Sequence, residues 1–216
     1  MTGDPMSIFT QPGAVTPQSP VNPELVIGTP PIVQAGAVPI AAPPAFGGWP
    51  EMRDAAYPGG IPDPWPGAVA GYVGGPLALN TWTPVEWRQF SRNRKLPIWV
   101  AGHQPQAEAW SCLEQLWRAH VPPGVRIAVD METRIDGYYL ETFARPLEWA
   151  GFKPMVYGSA STVFGNPQLH GYWVADYAGI GPFMYDHPAV RATQYAPGAH
   201  ADSSTIHAWV EAELWL

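Results

Sequence analysis

Asp130 and Glu132 stand one residue apart at the end of an apolar run, VRIAVDMET (125–133). Alternate residues of a strand face the same side. Read as a strand, this stretch brings two carboxylates side by side as it leaves the core. Like charges held together repel, so the pair belongs either to a solvated strand end or to a site. In a site, one carboxyl keeps its proton while its neighbour stays ionised. That division of labour suits proton transfer to a leaving oxygen, with the charged partner stabilising positive charge on the carbon left behind.

Residues of similar chemistry recur where other apolar runs end. RDAAY carries Asp54, GAVAGYVGG carries Tyr72, and LPIWVAGH ends on His103. KPMVYGS and GYWVADY supply Tyr157 and Asp176, and a last short segment supplies Asp202. In barrels of parallel strands, reactive groups gather at the C-terminal strand ends. Four or five carboxylates therefore converge on one rim, with Tyr and Trp between them, the composition of a sugar-cleaving cleft. Each residue also has a plainer reading. Asp54 suits a turn before YPGG, Asp176 a loop beginning AGIGP, and Asp202 an Asx-turn before two serines. His103 reads more simply as a rim histidine than as a ligand. The six histidines show no HExxH spacing, so no metal is assigned. Neither a GxSxG elbow nor a phosphate-binding glycine loop is present, and no cofactor is expected.

The elements that must position these groups alternate strand and helix from about residue 51. TPVEWRQFSRNR (83–94) carries helix-start signals in Thr83, Pro84 and Glu86. PQAEAWSCLEQLWRAH (105–120) reads as a helix on Ala109, Leu113, Leu116 and Trp117. YYLETFARPLEWAG (138–151) reads as a helix that Pro146 kinks or divides and Gly151 closes. Strands are expected at 67–75, 96–102, 125–130, 153–159, 171–177 and 190–196. Continuous apolar strands alternating with helices imply a parallel sheet covered on its outside. Seven or eight strands suggest a closed barrel. The domain falls short of the roughly 250 residues of a complete eightfold barrel, so some helices are missing, and the short connections after residue 159 point to the later strands.

Composition narrows the partner. The chain has 216 residues, a net charge of −7 and only 13% charged residues, with eleven Trp and two Lys, Lys95 and Lys153. No basic patch is visible, which argues against nucleic acid. A neutral, hydroxyl-rich ligand lying on aromatic faces fits better. No apolar run is long enough to span a membrane, and the lone Cys112 excludes an internal disulfide framework. The N-terminus lacks the basic region of a secretory signal. Residues 1–50 hold eleven prolines and two charged residues, Asp4 and Glu24. The reading is a proline-rich extended arm over 1–47, lying in a partner's groove or along the domain's own surface, followed by a barrel domain over 48–216.

The order RDAAYP, AGYVGG, TWTPVEW, LPIWVAG, IAVDMET, MVYGS, GYWVADY and ATQYA…D resembles the family 25 glycoside hydrolases, lysozymes that cleave peptidoglycan. It is similar also to glycoside-hydrolase-like domains of actinobacteria and their phages. The resemblance covers roughly residues 48–210. It implies an incomplete α/β barrel of the TIM type whose later strands lack helices. It further implies that Glu132 is the general acid, that Asp130 assists it, and that Asp54 and Asp202 match the family's acids on the first and last strands. Tyr157, Trp173 and Gln194 match positions lining the sugar groove, which Tyr72, His103 and Asp176 would extend. The family's D-x-S-x-Y-Q-G opening is replaced here by RDAAYPGG, with a first connection too short for a normal helix, which leaves the groove open on that side.

Two readings follow. One is a lysozyme-like hydrolase of cell-wall glycan, associated with a virion or cell surface through an arm that binds a protein partner. The other is a non-catalytic structural or glycan-binding component of a phage particle, such as a minor tail protein, built on the same barrel. A free enzyme of small sugars would leave the arm unused.

Overall fold

The computed structural model describes residues 50–132, 134–177, 182–207, 210 and 212–216. The proline-rich arm lies outside the described residues. Eight strands close into one barrel in sequence order: β1 (Glu51–Ala55), β2 (Ala68–Gly74), β3 (Lys95–Val100), β4 (Arg126–Asp130), β5 (Lys153–Ser159), β6 (Tyr172–Ala175), β7 (Val190–Ala196) and β8 (Asp202–Ile206). Helices α1 (Pro84–Gln89), α2 (Pro105–Arg118) and α3 (Gly137–Trp149) follow β2, β3 and β4, and a short α4 (Ala160–Gly165) follows β5. Among the described residues the later strands are thus poor in helices, in line with the chain length, although α4 was not expected.

The expectation of an all-parallel sheet needs correction. Strands β1 to β7 pair in parallel, but β8 runs antiparallel to both β7 and β1. Only residues 197–201 separate β7 from β8. A parallel crossover needs a dozen residues or more, whereas a hairpin does not. The consequence for the site is direct. Asp202 begins its strand, yet the reversed direction sets it on the rim where the other strands end.

Local sequence accounts for the helices. The Thr83 hydroxyl accepts from the Glu86 amide at 3.3 Å, and the Glu86 carboxylate accepts from the Thr83 amide at 2.6 Å, a reciprocal cap at the start of α1. Helix α3 runs through Pro146 without dividing and ends in a Schellman turn: Phe152 N donates to Leu147 O and Gly151 N to Glu148 O, with Gly151 at φ +87°. On α2 the buried arc is Ala109, Cys112, Leu113 and Leu116; Trp117, expected on that face, lies at its edge and is 56% exposed.

Strand alternation sorts the apolar residues into two layers. Val69, Trp99, Ile127, Val129, Val156 and Val174 face the helices. Met52, Ala70, Ile98, Ala128, Met155, Trp173, Ala192 and Ile206 fill the barrel interior. The alanines leave room for the Trp173 indole, whose Nε1 donates to Ser204 Oγ at 3.2 Å. At the N-terminal strand ends, Leu214 joins the interior cluster, and Glu213 pairs with Arg126 and with Lys153 Nζ at 2.6 Å.

Candidate active site

The same alternation that places the interior layer dictates the rim. Asp54, Tyr72, Asp130, Tyr157 and Gln194 each stand two residues beyond an interior residue: Met52, Ala70, Ala128, Met155 and Ala192. On the reversed β8, Asp202 stands two residues before Ser204, and Asp54 and Asp202 are direct cross-strand partners. The sheet therefore brings together six of the ten residues singled out in the sequence.

Gln194, completely buried, is the hub of this layer. Its Nε2 lies 3.2 and 3.1 Å from the two Asp54 oxygens and 3.0 Å from Asp202 Oδ2. Its Oε1 accepts from Tyr157 Oη at 2.7 Å and Tyr177 Oη at 2.8 Å. Ionised carboxylates accept only, whereas phenols can donate, and this amide orientation gives every contact a donor. Burial, then the charge of Asp202, pushes the Asp54 carboxyl up to about 8, against the lowering effect of the Gln194 hydrogen bond. Burial also lifts the phenols of Tyr72 and Tyr157 well above their ordinary range, and that of Tyr177 to about 12, with the rim acids adding to each shift. All three remain neutral donors at physiological pH.

Asp130 and Glu132 are neighbours, but not by the pleat. Strand β4 ends at Asp130, which is only 5% exposed. Glu132 lies past the strand at φ +46°, an unusual backbone for a side chain of this kind, and is exposed. Its amide donates to Asp130 Oδ1 at 3.0 Å, and its carbonyl accepts from Ser159 N at 3.3 Å. Gly158 sits beneath that carbonyl, where a Cβ would come within 2.6 Å of the oxygen. Burial, then the Glu132 charge, pushes Asp130 up to about 7, opposed by the Glu132 amide. The carboxyl lifted towards neutrality is thus the buried Asp130, with the exposed Glu132 above it.

The remaining candidates stand apart or beneath. His103 is exposed, with Nδ1 3.4 Å from Arg134, whose guanidinium also pairs with Asp136 at 3.0 Å and lies over the Tyr139 ring. Asp176 accepts from Tyr185 Oη, in the layer outside the barrel wall, because it shares the parity of Val174 rather than that of Trp173. Trp173 and Gln194 have no exposed surface, so any contribution to a ligand site passes through the residues above them. Two residues were missed. Tyr177 shares the inward parity of Trp173 and is 48% exposed; the alternation of WVADY was the available signal. Glu108 is a buried carboxylate in the first turn of α2. It accepts from Gln104 N at 2.7 Å, Gly102 N at 2.8 Å and Tyr139 Oη at 2.6 Å. Burial pushes its carboxyl up, but these bonds outweigh it and hold the group below the usual range. Its partners make it a tie between the β3 rim loop, α2 and α3.

Among the described residues, no group of three or more His, Cys, Asp or Glu side chains is arranged to hold a metal ion. No helix among them is long and apolar enough to cross a membrane.

No protein-family profile matches the chain, and no curated protein matches it in sequence. Solved structures do match in fold. An uncharacterised protein of Bacillus stearothermophilus superposes with a TM-score of 0.62 at 16% identity, over 76% of this chain and 99% of that one. The bacterial lysozyme of Streptomyces coelicolor gives 0.54 at 12% identity, over 76% and 95%. The modular autolysin LytC of Streptococcus pneumoniae, solved with a synthetic peptidoglycan ligand, gives 0.55 at 13% identity, over 72% of this chain and 46% of that one. At such identities the likeness is one of fold, an α/β barrel that this chain shares with those lysozymes.

Proposed function

We propose that this barrel is a lysozyme-like glycoside hydrolase domain acting on bacterial cell-wall glycan. The observation that carries the reading is the rim itself, where Asp54, Asp130 and Asp202 are gathered among tyrosines with Glu132 exposed beside them. In this reading Glu132 delivers a proton to the glycosidic oxygen. Asp130, poised to hold or release a proton near neutral pH, backs it. Asp54 and Asp202 face the sugar from the opposite wall, Tyr72, Tyr157 and Tyr177 offer rings to its faces, and Tyr72 has a phenolic hydrogen to offer its hydroxyls. The likeness in fold to a lysozyme and to a peptidoglycan-bound autolysin supports the substrate class. Release of reducing ends from purified peptidoglycan, comparing wild type with Glu132→Gln, is the test. A general acid is worth about 10²–10⁴-fold, and a loss of that size is expected. Equal release by both proteins would remove Glu132 from the role.

A second reading has its own support. Asp54 and Asp130 are only 6% and 5% exposed, which limits access of a polymer to them and favours a glycan-binding or structural barrel. In either case residues 1–47 would serve as an address, docking on a protein partner such as a virion component. Deleting residues 1–46 should abolish particle association while leaving glycan cleavage or binding intact. Loss of both would tie the arm to the barrel instead.

A further inference from the structure

Asp54 and Asp202 face each other across the antiparallel β1–β8 pair. Like charges directly opposite in a sheet are destabilising, yet the two acids have unequal surroundings. Asp202 is half-buried and accepts two N–H donors, Gly198 N on Oδ1 at 2.8 Å and Gln194 Nε2 on Oδ2 at 3.0 Å. Asp54 is buried and accepts from Gln194 Nε2, shared between both its oxygens at 3.2 and 3.1 Å. A primary amide has two N–H bonds, so one serves Asp202 and the other is divided over Asp54. The amide cannot turn over, because Tyr157 and Tyr177 both donate to its oxygen. Among the described residues, the titratable groups that interact with the pair are Tyr72 on β2, Asp130 at the end of β4, Tyr157 on β5 and Tyr177 beyond β6, and none is a cation. None of these groups supplies a positive charge to hold both acids ionised.

We infer that Gln194 is a positioning residue which divides the Asp54–Asp202 pair into unlike partners, a proton-bearing Asp54 and an ionised Asp202. The pair then offers a glycan one hydroxyl-type donor and one acceptor rather than two repelling acceptors. This inference rests on the lysozyme-like reading for its use, though not for its test. The carboxyl shift described for Asp54 agrees with it. Where the glycan is bound, ionisation of Asp54 at alkaline pH replaces the donor with a second charge, so KM should rise on that limb while kcat changes less.

The test is carboxyl ¹³C NMR of the full chain labelled at aspartate, titrated without any glycan. Asp54→Asn and Asp202→Asn identify the two resonances. In wild type, Asp202 should ionise first and Asp54 with a midpoint well above the ordinary carboxylate range. Gln194→Met removes both amide donors at similar size, a whole N–H bond from Asp202 and a shared one from Asp54, and should bring the two midpoints closer together. The wild-type order stands as a test even where Gln194→Met unfolds. If Asp54 titrates with or before Asp202, the inference falls. It falls equally if a folded Gln194→Met protein leaves the gap between the two midpoints unchanged. A failed hydrolysis assay, by contrast, would overturn the proposed activity and leave the divided pair standing.

Discussion

The two ends of the barrel treat buried charge in opposite ways. At the N-terminal strand ends, Glu213 meets Arg126 and Lys153, and their positive charges outweigh its burial and hold its carboxyl below the usual range. At the C-terminal ends, Asp54 and Asp130 are buried, no cation among the described residues acts on them, and their carboxyls are pushed up to about 8 and about 7. One end neutralises charge with charge, the other with protons. A paired end holds its state over a wide pH range, whereas a proton-holding end changes state near neutrality. That property is an expense for stability and an asset for acid–base chemistry.

The sharpest way to break the contrast is at the base. Replacing Glu213 with Ala leaves the Arg126 side chain, 5% exposed, without this counter-charge, and Lys153 likewise. Losing one partner of a buried pair costs about 3–5 kcal/mol. With Glu213 a quarter exposed, we expect about 3 kcal/mol by urea denaturation. A cost below about 1 kcal/mol would mean that the base is not held by this pairing.

An effect of opposite sign is expected at the mouth. The folded Asp54 carboxyl binds its proton more tightly than the unfolded one, which has the ordinary value of 3.8. Between about 4 and about 8 the native state therefore holds more protons than the unfolded state, and stability falls as pH rises through that window. Asp54→Asn, neutral at every pH, should match wild type near pH 4, have a higher Tm than wild type near pH 8, and flatten the slope between. An unchanged slope would place the protonated group elsewhere, with Asp130 next to be replaced.

The sequence disclosed the mouth better than it disclosed the architecture holding it. Asp54, Tyr72, Asp130, Tyr157 and Asp202 were legible as residues where apolar runs end, and Gln194 only through the family resemblance; the period of two along a strand then sets them all on one layer. Asp176 was misplaced, and Tyr177 overlooked, for want of applying that rule to WVADY. The direction of β8 was hidden because neither acid nor apolar pattern encodes polarity of a strand; only the shortness of residues 197–201 does. The backbone of Glu132 was hidden too. Its φ of +46° arises from tertiary contacts with Asp130, Ser159 and Gly158 that no local propensity announces. Trp117 shows the limit of periodicity, since a residue at the edge of a buried arc scores like one at its centre.

The hairpin that reverses β8 also orders events along the folding path. Pairing of β7 with β8 is local in the chain, whereas pairing of β8 with β1 joins residues some 150 positions apart, and contacts of that range form late. The seam that closes last is the one that sets Asp54 against Asp202. The pairing of longest reach in the chain is thus also the one that must accommodate two facing carboxyls, so closing the barrel carries the electrostatic cost of the mouth.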